Sequence, residues 1–343
     1  MFVNLGSPES PTAKDVKPYL DEFLMDGRVM DVNPLLRNLI VRGIILNTRP
    51  KKSAEAYAKV WWEEGSPLIV ISERFVEKVK KYTELPVALG MRYGTMSLKK
   101  SLQALDDQGV EDVFLVPLYP HYAMSSYETV VVKAMEVREA YFPQMKFTTL
   151  PAFFSNGDYI KVLSGSIAEG LNGFDYDHIL FSYHGIPERQ IKKSDPTRFH
   201  CRIDGSCCQT NSVAHHSCYR HQCLDTTERV KKQLGLDAAK VSTSFQSRLL
   251  NDPWLQPFTD HEFDRLARAG VRKLAVITPA FVSDCLETLE EIAMEGREQF
   301  LKAGGEDYVH VPCLNDREDW AQLMAQWIRD WELKGTLPAY HVQ

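Results

Sequence analysis

The chain has 343 residues, of which 44% are hydrophobic and 25% are charged, an ordinary composition for a globular protein. The net charge of −6 and the pI near 6.0 give no support to a nucleic-acid-binding role. No apolar run approaches the roughly 18 residues of a membrane span, and no secretory signal precedes the first apolar segment. We therefore expect a cytoplasmic protein, and the length suggests two domains.

Eight short apolar runs bounded by turn residues predict β-strands, and most are followed by a helical pattern. Strands that alternate with helices indicate parallel sheets covered by helices. Uneven spacing of the runs argues against one eight-stranded barrel and favours an α/β protein with two doubly wound, four-stranded domains and a cleft between them. We expect domains at 1–150 and 151–315, and a helix within 316–343 that returns to the first domain. The predicted strands are residues 2–5, 87–92, 112–119, 146–152, 178–183, 240–246, 273–280 and 307–312.

Residues 33–46 are strongly apolar but include two arginines, Arg37 and Arg42. The pattern is compatible with a core helix. It is equally compatible with an exposed apolar lip that contacts a membrane or an apolar ligand.

The fifth predicted strand ends at His184, and Gly185-Ile186-Pro187 then turns the chain. Ligands of open α/β sheets bind at the carboxyl ends of the strands. A histidine there can exchange protons near neutral pH or bind a metal. A surface histidine at a strand end is the alternative interpretation.

Five of the seven cysteines lie between Cys201 and Cys223, within a polar segment, residues 192–223, that has no secondary-structure period. This segment is interpreted as an insertion after the His184 strand. An odd number of cysteines without a secretory signal favours reduced thiols and a metal over disulfides.

Polar and aromatic residues also follow the sixth and seventh predicted strands. After the sixth, Arg248 could meet an anionic group and Trp254 could pack on a flat ligand. After the seventh, a helix is predicted to start near Ser283 or Asp284, and the spacing of Asp284, Glu287 and Glu291 by three and four predicts one row of carboxylates. Such a row could hold a divalent cation or accept protons, although acidic residues are also favoured at a helix N-terminus by the helix dipole.

Three of these stretches resemble the signatures of the ferrochelatases, which insert ferrous iron into a porphyrin at the end of haem synthesis. They are Phe181-Ser-Tyr-His-Gly-Ile-Pro, Ser244-Phe-Gln-Ser-Arg and Ser283-Asp-Cys-Leu-Glu-Thr-Leu-Glu-Glu. Val3-Asn-Leu-Gly-Ser-Pro and Gly90-Met-Arg-Tyr-Gly also fit, so the resemblance covers essentially the whole chain. It implies two Rossmann-like, chelatase-like domains and favours the bacterial branch of the family.

The resemblance implies roles for individual residues. His184 and Glu287 would face the porphyrin centre as the catalytic pair, and Asp284 and Glu291 would continue an acidic line toward the metal. The lip at 33–46 would contact the membrane, giving a protein peripheral to the inner membrane. The residues implied to bind the porphyrin are Arg49, Ser66, Arg92, Tyr93, Tyr119, Tyr122, Trp254 and Phe281.

Some ferrochelatases carry a 2Fe–2S cluster, and four thiolates suffice for one. The ligands expected here are Cys201, Cys208, Cys218 and Cys223, with Cys207 replacing Cys208 as the alternative. Zinc is the rival metal, because cysteine and histidine sets also suit it.

The expected substrates are protoporphyrin IX and ferrous iron. Insertion of another metal, or use of another tetrapyrrole such as coproporphyrin III, is the alternative within the enzyme class. A non-catalytic tetrapyrrole- or metal-binding protein is the alternative outside it. The oligomeric state is left open.

Overall fold

The structure is a computed structural model that describes residues 1–249 and 252–338. The described chain forms two units, each built around a four-stranded parallel sheet. The first unit contains residues 1–119, 123–152 and 315–338, and the second contains 120–122 and 153–314. The predicted α/β fold with two four-stranded parallel sheets is confirmed, because each predicted run overlaps an observed strand.

The sheet of the first unit has the order β2-β1-β3-β4. Gly6, which ends β1, has a φ of 104°, and a Cβ there would lie 2.0 Å from the carbonyl oxygen of Tyr93. Only glycine lets the first strand end so close to the second. The strands are β1 (Phe2–Gly6), β2 (Leu89–Tyr93), β3 (Asp112–Pro117) and β4 (Lys146–Thr149).

Capping residues and the spacing of apolar residues explain where the helices of this unit start and which faces they bury. Thr12 accepts a hydrogen bond from the backbone of Asp15 and starts the first helix. Leu98, Leu102 and Leu105 recur at helical spacing and are buried against the sheet core. The helices are α1 (Ala13–Met25), α2 (Pro34–Asn38), α3 (Leu46–Val60), α4 (Pro67–Lys80), α5 (Leu98–Asp106) and α6 (Thr129–Tyr141), with π-helical segments at Leu39–Ile45 and Met124–Glu128.

The sheet of the second unit repeats the same order, as β6-β5-β7-β8. His184 lies opposite Gln246 at the end of the β5–β6 ladder, whereas β7 pairs with β5 only as far as Phe181. The strands are β5 (His178–His184), β6 (Val241–Gln246), β7 (Lys273–Ile277) and β8 (Asp307–Val311).

Helices α7 to α11 belong to the second unit. The helix predicted to start at Ser283 or Asp284 begins instead at Glu287 and is π-helical as far as Gly296, so that start was predicted wrongly. π-Helical turns are rare and occur mostly at functional sites. The helices are α7 (Gly157–Gly170), α8 (Glu188–Ser194), α9 (Tyr219–Leu234), α10 (Thr259–Arg268) and α11 (Arg297–Lys302), with 3₁₀ turns at Ser206–Gln209, Val213–His216 and Ala238–Lys240.

The last helix, α12 (Glu318–Lys334), belongs to the first unit and packs on α4. Its Trp320 ring stacks on Phe75 at 5.9 Å, and its Trp331 ring stacks on Phe114 at 5.2 Å. Residues 339–343 of the segment predicted at 316–343 lie outside the described residues. Among the helices that the structure describes, none combines the length and apolarity needed to cross a membrane.

Candidate active site

His184 is half-buried at the carboxyl end of β5. Its Nδ1 lies 2.6 Å from the carbonyl oxygen of Gly185. Because a carbonyl can only accept, Nδ1 carries the hydrogen, and in the neutral ring Nε2 keeps a free lone pair. The fold therefore presents a tautomer of His184 that can accept a proton at Nε2.

The turn after His184 requires a glycine. The Gly185 N–H donates to the carbonyl of Gln246 at 2.6 Å. A Cβ at Gly185 would lie 2.9 Å from that carbonyl oxygen, closer than real Cβ atoms come, and at a tight 3.0 Å from that of Ser247. It would also meet the ring of Trp254 at 3.4 Å, which places this predicted porphyrin-binding aromatic beside the turn.

Glu287 and His184 reach the same edge of the second sheet through Gln246. Gln246 is the strand neighbour of His184, and its side-chain amide donates to the carbonyl oxygen of Glu287 at 3.3 Å. The ring of Phe281, in the loop that leads to Glu287, lies 6.3 Å from the His184 ring. His184, Phe281 and the backbone of Glu287 thus lie at the same end of the second sheet.

Glu291 lies one turn beyond Glu287 and is held by Ser247. Both the backbone N–H and the hydroxyl of Ser247 donate to its carboxylate, the N–H at 3.0 Å. Burial raises the pKa of Glu291 to about 7, and the charge of Glu287 adds to the increase although the Ser247 hydroxyl opposes it. Glu291 can therefore hold or release a proton near neutral pH.

Asp284 precedes the π-helix and is buried. Its carboxylate accepts from the Thr288 hydroxyl at 2.7 Å and from the backbone N–H of Cys313 at 3.3 Å. The predicted row of three carboxylates is thus one buried group before the helix and two groups on the helix itself. The two nearby thiols are kept protonated, because burial raises the pKa of both Cys285 and Cys313.

Arg92 and Tyr93, in the first unit, form a buried network with Asp26. Arg92 pairs with the Asp26 carboxylate and donates from Nε to the Thr129 hydroxyl at 2.8 Å, and the Tyr93 hydroxyl donates to Asp26 at 3.0 Å. Burial favours neutral Asp26, but the hydrogen bonds from Thr129 and Arg28 and the charge of Arg92 outweigh it and lower the pKa of Asp26. These contacts favour a structural role for the Arg92 guanidinium.

The other residues predicted to bind the porphyrin are spread over both units. In the first unit Arg49 is exposed on α3, Ser66 is buried before α4, and Tyr119 packs against the core. In the second unit the backbone of Tyr122 donates to Gln222 at 2.7 Å. Arg248, proposed from sequence to meet an anion, pairs instead with Asp260 through two hydrogen bonds of 2.8 Å.

Four thiols of the insertion, those of Cys201, Cys207, Cys208 and Cys218, interact with one another, and we call them the thiol ring. Cys218 and Cys207 each interact with the thiols of Cys201 and Cys208. The bond from Cys218 is the main reason that the pKa of Cys201 falls to about 6 and that of Cys208 to about 7. Cys223, predicted as a ligand, is fully buried and hydrogen-bonds to Tyr219 instead.

Three histidines surround the carbonyl groups of two of these cysteines. His200 and His215 approach the carbonyl oxygen of Cys207 at 2.9 and 3.2 Å, and His221 approaches that of Cys208 at 2.9 Å. Within residues 1–249 and 252–338, no three or more His, Cys, Asp or Glu side chains stand in an arrangement that could hold a metal ion. The chemistry of the four thiols nevertheless fits a cluster or a soft metal.

The apolar segment 33–46 is largely exposed. Leu35, Leu39 and Ile44 are 83, 65 and 58% exposed, whereas Val41 and Ile45 are buried. Leu46 is buried as well, so the segment is an exposed lip anchored by three buried residues rather than a core helix.

Sequence reasoning missed several groups that position the site. Gln246 and Ser247 lie within the Ser244-Phe-Gln-Ser-Arg motif, but the sequence predicts ligand contacts only for Arg248 and Trp254 nearby. Thr288 also lies inside a motif, one residue after Glu287. Asp26 carries no local signal, since its partner Arg92 is 66 residues away.

Comparisons with known proteins agree on one family. The sequence model of the ferrochelatase family matches residues 1–331. The ferrochelatase of Opitutus terrae is 46% identical over 335 residues, covering 96% of each chain. That of Azotobacter vinelandii is 46% identical over 331 residues, covering 96% of this chain and 97% of its own. The structure of SirB from Bacillus subtilis with Fe3+ matches with a TM-score of 0.53 at 11% identity, over 78% of this chain and 90% of SirB, a likeness of fold.

Proposed function

The chain belongs to the ferrochelatase family, and from this membership we infer that it inserts ferrous iron into protoporphyrin IX to make protohaem. In that reaction Fe²⁺ enters the ring and the two pyrrole N–H protons leave. The two positive charges that leave equal the charge of the iron, so the net charge is unchanged. The protein must bind and bend the ring, accept the protons and deliver a partly dehydrated cation. The observation that best supports a proton-accepting site is the His184 tautomer, in which Nε2 carries no hydrogen.

His184 is proposed as the base for the pyrrole protons, because a neutral imidazole with a free lone pair is suited to that task near pH 7. Trp254 beside the His184 turn and Phe281 against its ring would provide flat apolar contacts for the macrocycle. Binding energy from such contacts could support ring distortion of about 1–5 kcal/mol.

Glu287, Glu291 and Asp284 are proposed to handle protons and the incoming iron. The backbone carbonyl of Glu287 is linked to the strand neighbour of His184 by the hydrogen bond from Gln246. Glu291 follows one turn later with a pKa of about 7, so it can accept a proton from Glu287 and release it. Asp284, held by Thr288, completes a set of carboxylate oxygens, which suit a hard or borderline divalent cation.

The test is an anaerobic chelation assay with Fe²⁺ and either protoporphyrin IX or coproporphyrin III. We expect haem formation far above the protein-free rate, with protoporphyrin IX the better substrate. His184→Ala should abolish turnover while porphyrin still quenches protein fluorescence, and Glu287→Gln should be nearly as damaging. His261→Ala, an exposed histidine of the same unit, is the control. Full turnover in His184→Ala would remove this histidine from the mechanism.

A 2Fe–2S cluster on Cys201, Cys207, Cys208 and Cys218 is proposed as a resident cofactor. The support is that these four thiols contact one another, while Cys223 hydrogen-bonds to Tyr219. When bound, such a cluster supplies one-electron redox chemistry. This set replaces Cys223 of the sequence prediction with Cys207.

Iron, acid-labile sulfide and zinc analysis of the purified protein tests the cluster. Cys207→Ser should lose visible absorbance and iron, whereas Cys223→Ser should keep both. A colourless wild type with one equivalent of zinc would refute the cluster in favour of the rival metal. Loss of colour in Cys223→Ser alone would restore the ligand set predicted from sequence.

The lip is proposed to make a peripheral membrane contact. Its exposed leucines and Ile44 form an apolar surface, and such surfaces insert into the headgroup region of bilayers. Co-sedimentation with phosphatidylglycerol vesicles should fall in the double variant Leu35→Ser and Leu39→Ser. Leu333→Ser, which changes an equally exposed leucine on α12, should bind like the wild type. Equal binding by all three proteins would contradict this contact.

A further inference from the structure

The first turn of α9 joins the thiol ring to the catalytic histidine. Cys218 is the residue that precedes this helix, and Tyr219 is its first residue. Tyr219 is only 4% exposed, and its hydroxyl donates to the backbone carbonyl oxygen of His184 at 2.8 Å. Two adjacent residues therefore carry a thiol of the ring and the hydroxyl that binds the His184 carbonyl.

The carbonyl of His184 needs such a donor. The Gly185 N–H donates to Gln246 and therefore points toward β6. The His184 carbonyl belongs to the same peptide unit as this N–H, so it points in the opposite direction, away from β6. On that side β7 pairs with β5 only as far as Phe181. The Tyr219 hydroxyl thus supplies the hydrogen bond that the sheet no longer provides.

The same helix is also tied to the insertion. The ring of His221 approaches the Cys208 carbonyl oxygen at 2.9 Å. The side-chain amide of Gln222 donates to the carbonyls of His215 and His216 at 3.1 and 2.9 Å. The start of α9 therefore cannot move without moving both the thiol-bearing turns and the Tyr219 hydroxyl.

Further along, α9 is fixed to the body of the second unit. The Thr227 hydroxyl lies 2.9 Å from that of Tyr183, the residue before His184, and the Thr226 hydroxyl lies 2.9 Å from Nε2 of His121. The helix is thus anchored along its length, and its first turn is the part that contacts both the insertion and the β5 terminus.

We propose that Tyr219 is a positioning residue for His184, and that the first turn of α9 transmits the state of the thiol ring to this histidine. The Tyr219 hydroxyl binds the His184 carbonyl, which belongs to the peptide unit between His184 and Gly185. The orientation of this unit places Gly185, and the Gly185 carbonyl in turn accepts the hydrogen bond from Nδ1 of His184. Releasing that carbonyl lets the link rotate and disorders the imidazole. This proposal rests on the proposed function only for its kinetic readout.

Tyr219→Phe tests the positioning role of Tyr219, because it removes the hydroxyl and keeps the buried ring. Loss of the hydrogen bond to the His184 carbonyl predicts a kcat reduced about five- to ten-fold, with the KM for porphyrin unchanged. Tyr127→Phe is the matched control, since its hydroxyl also donates to a backbone carbonyl at 2.8 Å, that of Leu150 in the first unit. Unchanged kcat in Tyr219→Phe, or an equal loss in Tyr127→Phe, would overturn the positioning role.

Transmission from the thiol ring to His184 is tested by NMR of the His184 ring, a measurement that does not require turnover. Cys208→Ser should shift and broaden this signal in the wild-type background and leave it unchanged in the Tyr219→Phe background. Cys201→Ser replaces Cys208→Ser if the latter is insoluble. Equal shifts in both backgrounds, or no shift in either, would overturn the transmission. A wild type without chelatase activity would refute the proposed function, whereas the His184 signal would still decide the role of Tyr219.

Discussion

The buried carboxylate of Glu291 should make this protein less stable as the pH rises through neutrality. Its pKa is about 7 in the folded chain and about 4.5 in an ordinary environment. Because the folded-state value is the higher one, the folded protein binds the proton more tightly. The contribution to stability is complete below about pH 4.5 and is lost as the pH rises through 7.

The difference of about 2.5 between the two pKa values corresponds to about 3.4 kcal/mol. This is an upper bound, since Glu291 is half-buried and keeps some solvent contact, so about 1–3 kcal/mol is expected. Glu291→Gln imitates the protonated form at every pH. It should match the wild type near pH 4.5 and exceed its free energy of unfolding by about 1–3 kcal/mol at pH 8.5.

Urea unfolding monitored by far-ultraviolet circular dichroism at both pH values measures this difference. Glu298→Gln, at an exposed position of α11, is the control and should show the same small effect at each pH. If Glu291→Gln destabilised the protein equally at both pH values, the hydrogen bonds from Ser247 would outweigh burial, and the raised pKa would be refuted.

Three further substitutions probe the Asp26–Arg92 network in the first unit and the residues around Asp284 and His184 in the second. Asp26→Asn should cost about 3–5 kcal/mol of unfolding free energy in a urea titration, because it leaves the buried Arg92 charge without its partner; a loss below about 1 kcal/mol would contradict this. Thr288→Val removes the hydroxyl bound to Asp284 and should lower stability by about 1–2 kcal/mol and reduce iron insertion, with serine restoring both; equal behaviour of valine and serine would refute the role of the hydroxyl. Gly185→Ala should abolish haem formation, because its Cβ would meet two carbonyl oxygens at 2.9 and 3.0 Å; wild-type turnover would show that the turn relaxes at little cost.

The parallel sheets could be predicted because their determinants are local. Most strands lie in short, largely apolar runs bounded by turn residues. Residues 179–183, buried on both faces, are apolar apart from Ser182. The place of His184 at a strand end followed from the same pattern. The family followed from motifs such as the one around Glu287, whose residue order needs no three-dimensional information.

The helix that carries Glu287 shows where local patterns fail. Apolar and acidic spacing predicts an α-helix from Asp284, but the structure begins a π-helix at Glu287. Asp284 is drawn out of the helix by hydrogen bonds from Thr288 and from the backbone of Cys313, 29 residues away. Periods of 3.6 and 4.4 residues cannot be separated over so few turns, so tertiary contacts decide between them.

The sequence alone determined the strands, their α/β class and the placement of His184 at the end of a strand, since each depends on residues a few positions apart. Only the tertiary structure decided which groups hold those residues: Ser247 on Glu291, Asp26 on Arg92, and Tyr219 on His184. These partners lie 44, 66 and 35 residues apart. Burial and hydrogen bonding between distant segments, which set proton affinity and orientation, are properties of the folded chain and leave no periodic trace in the sequence.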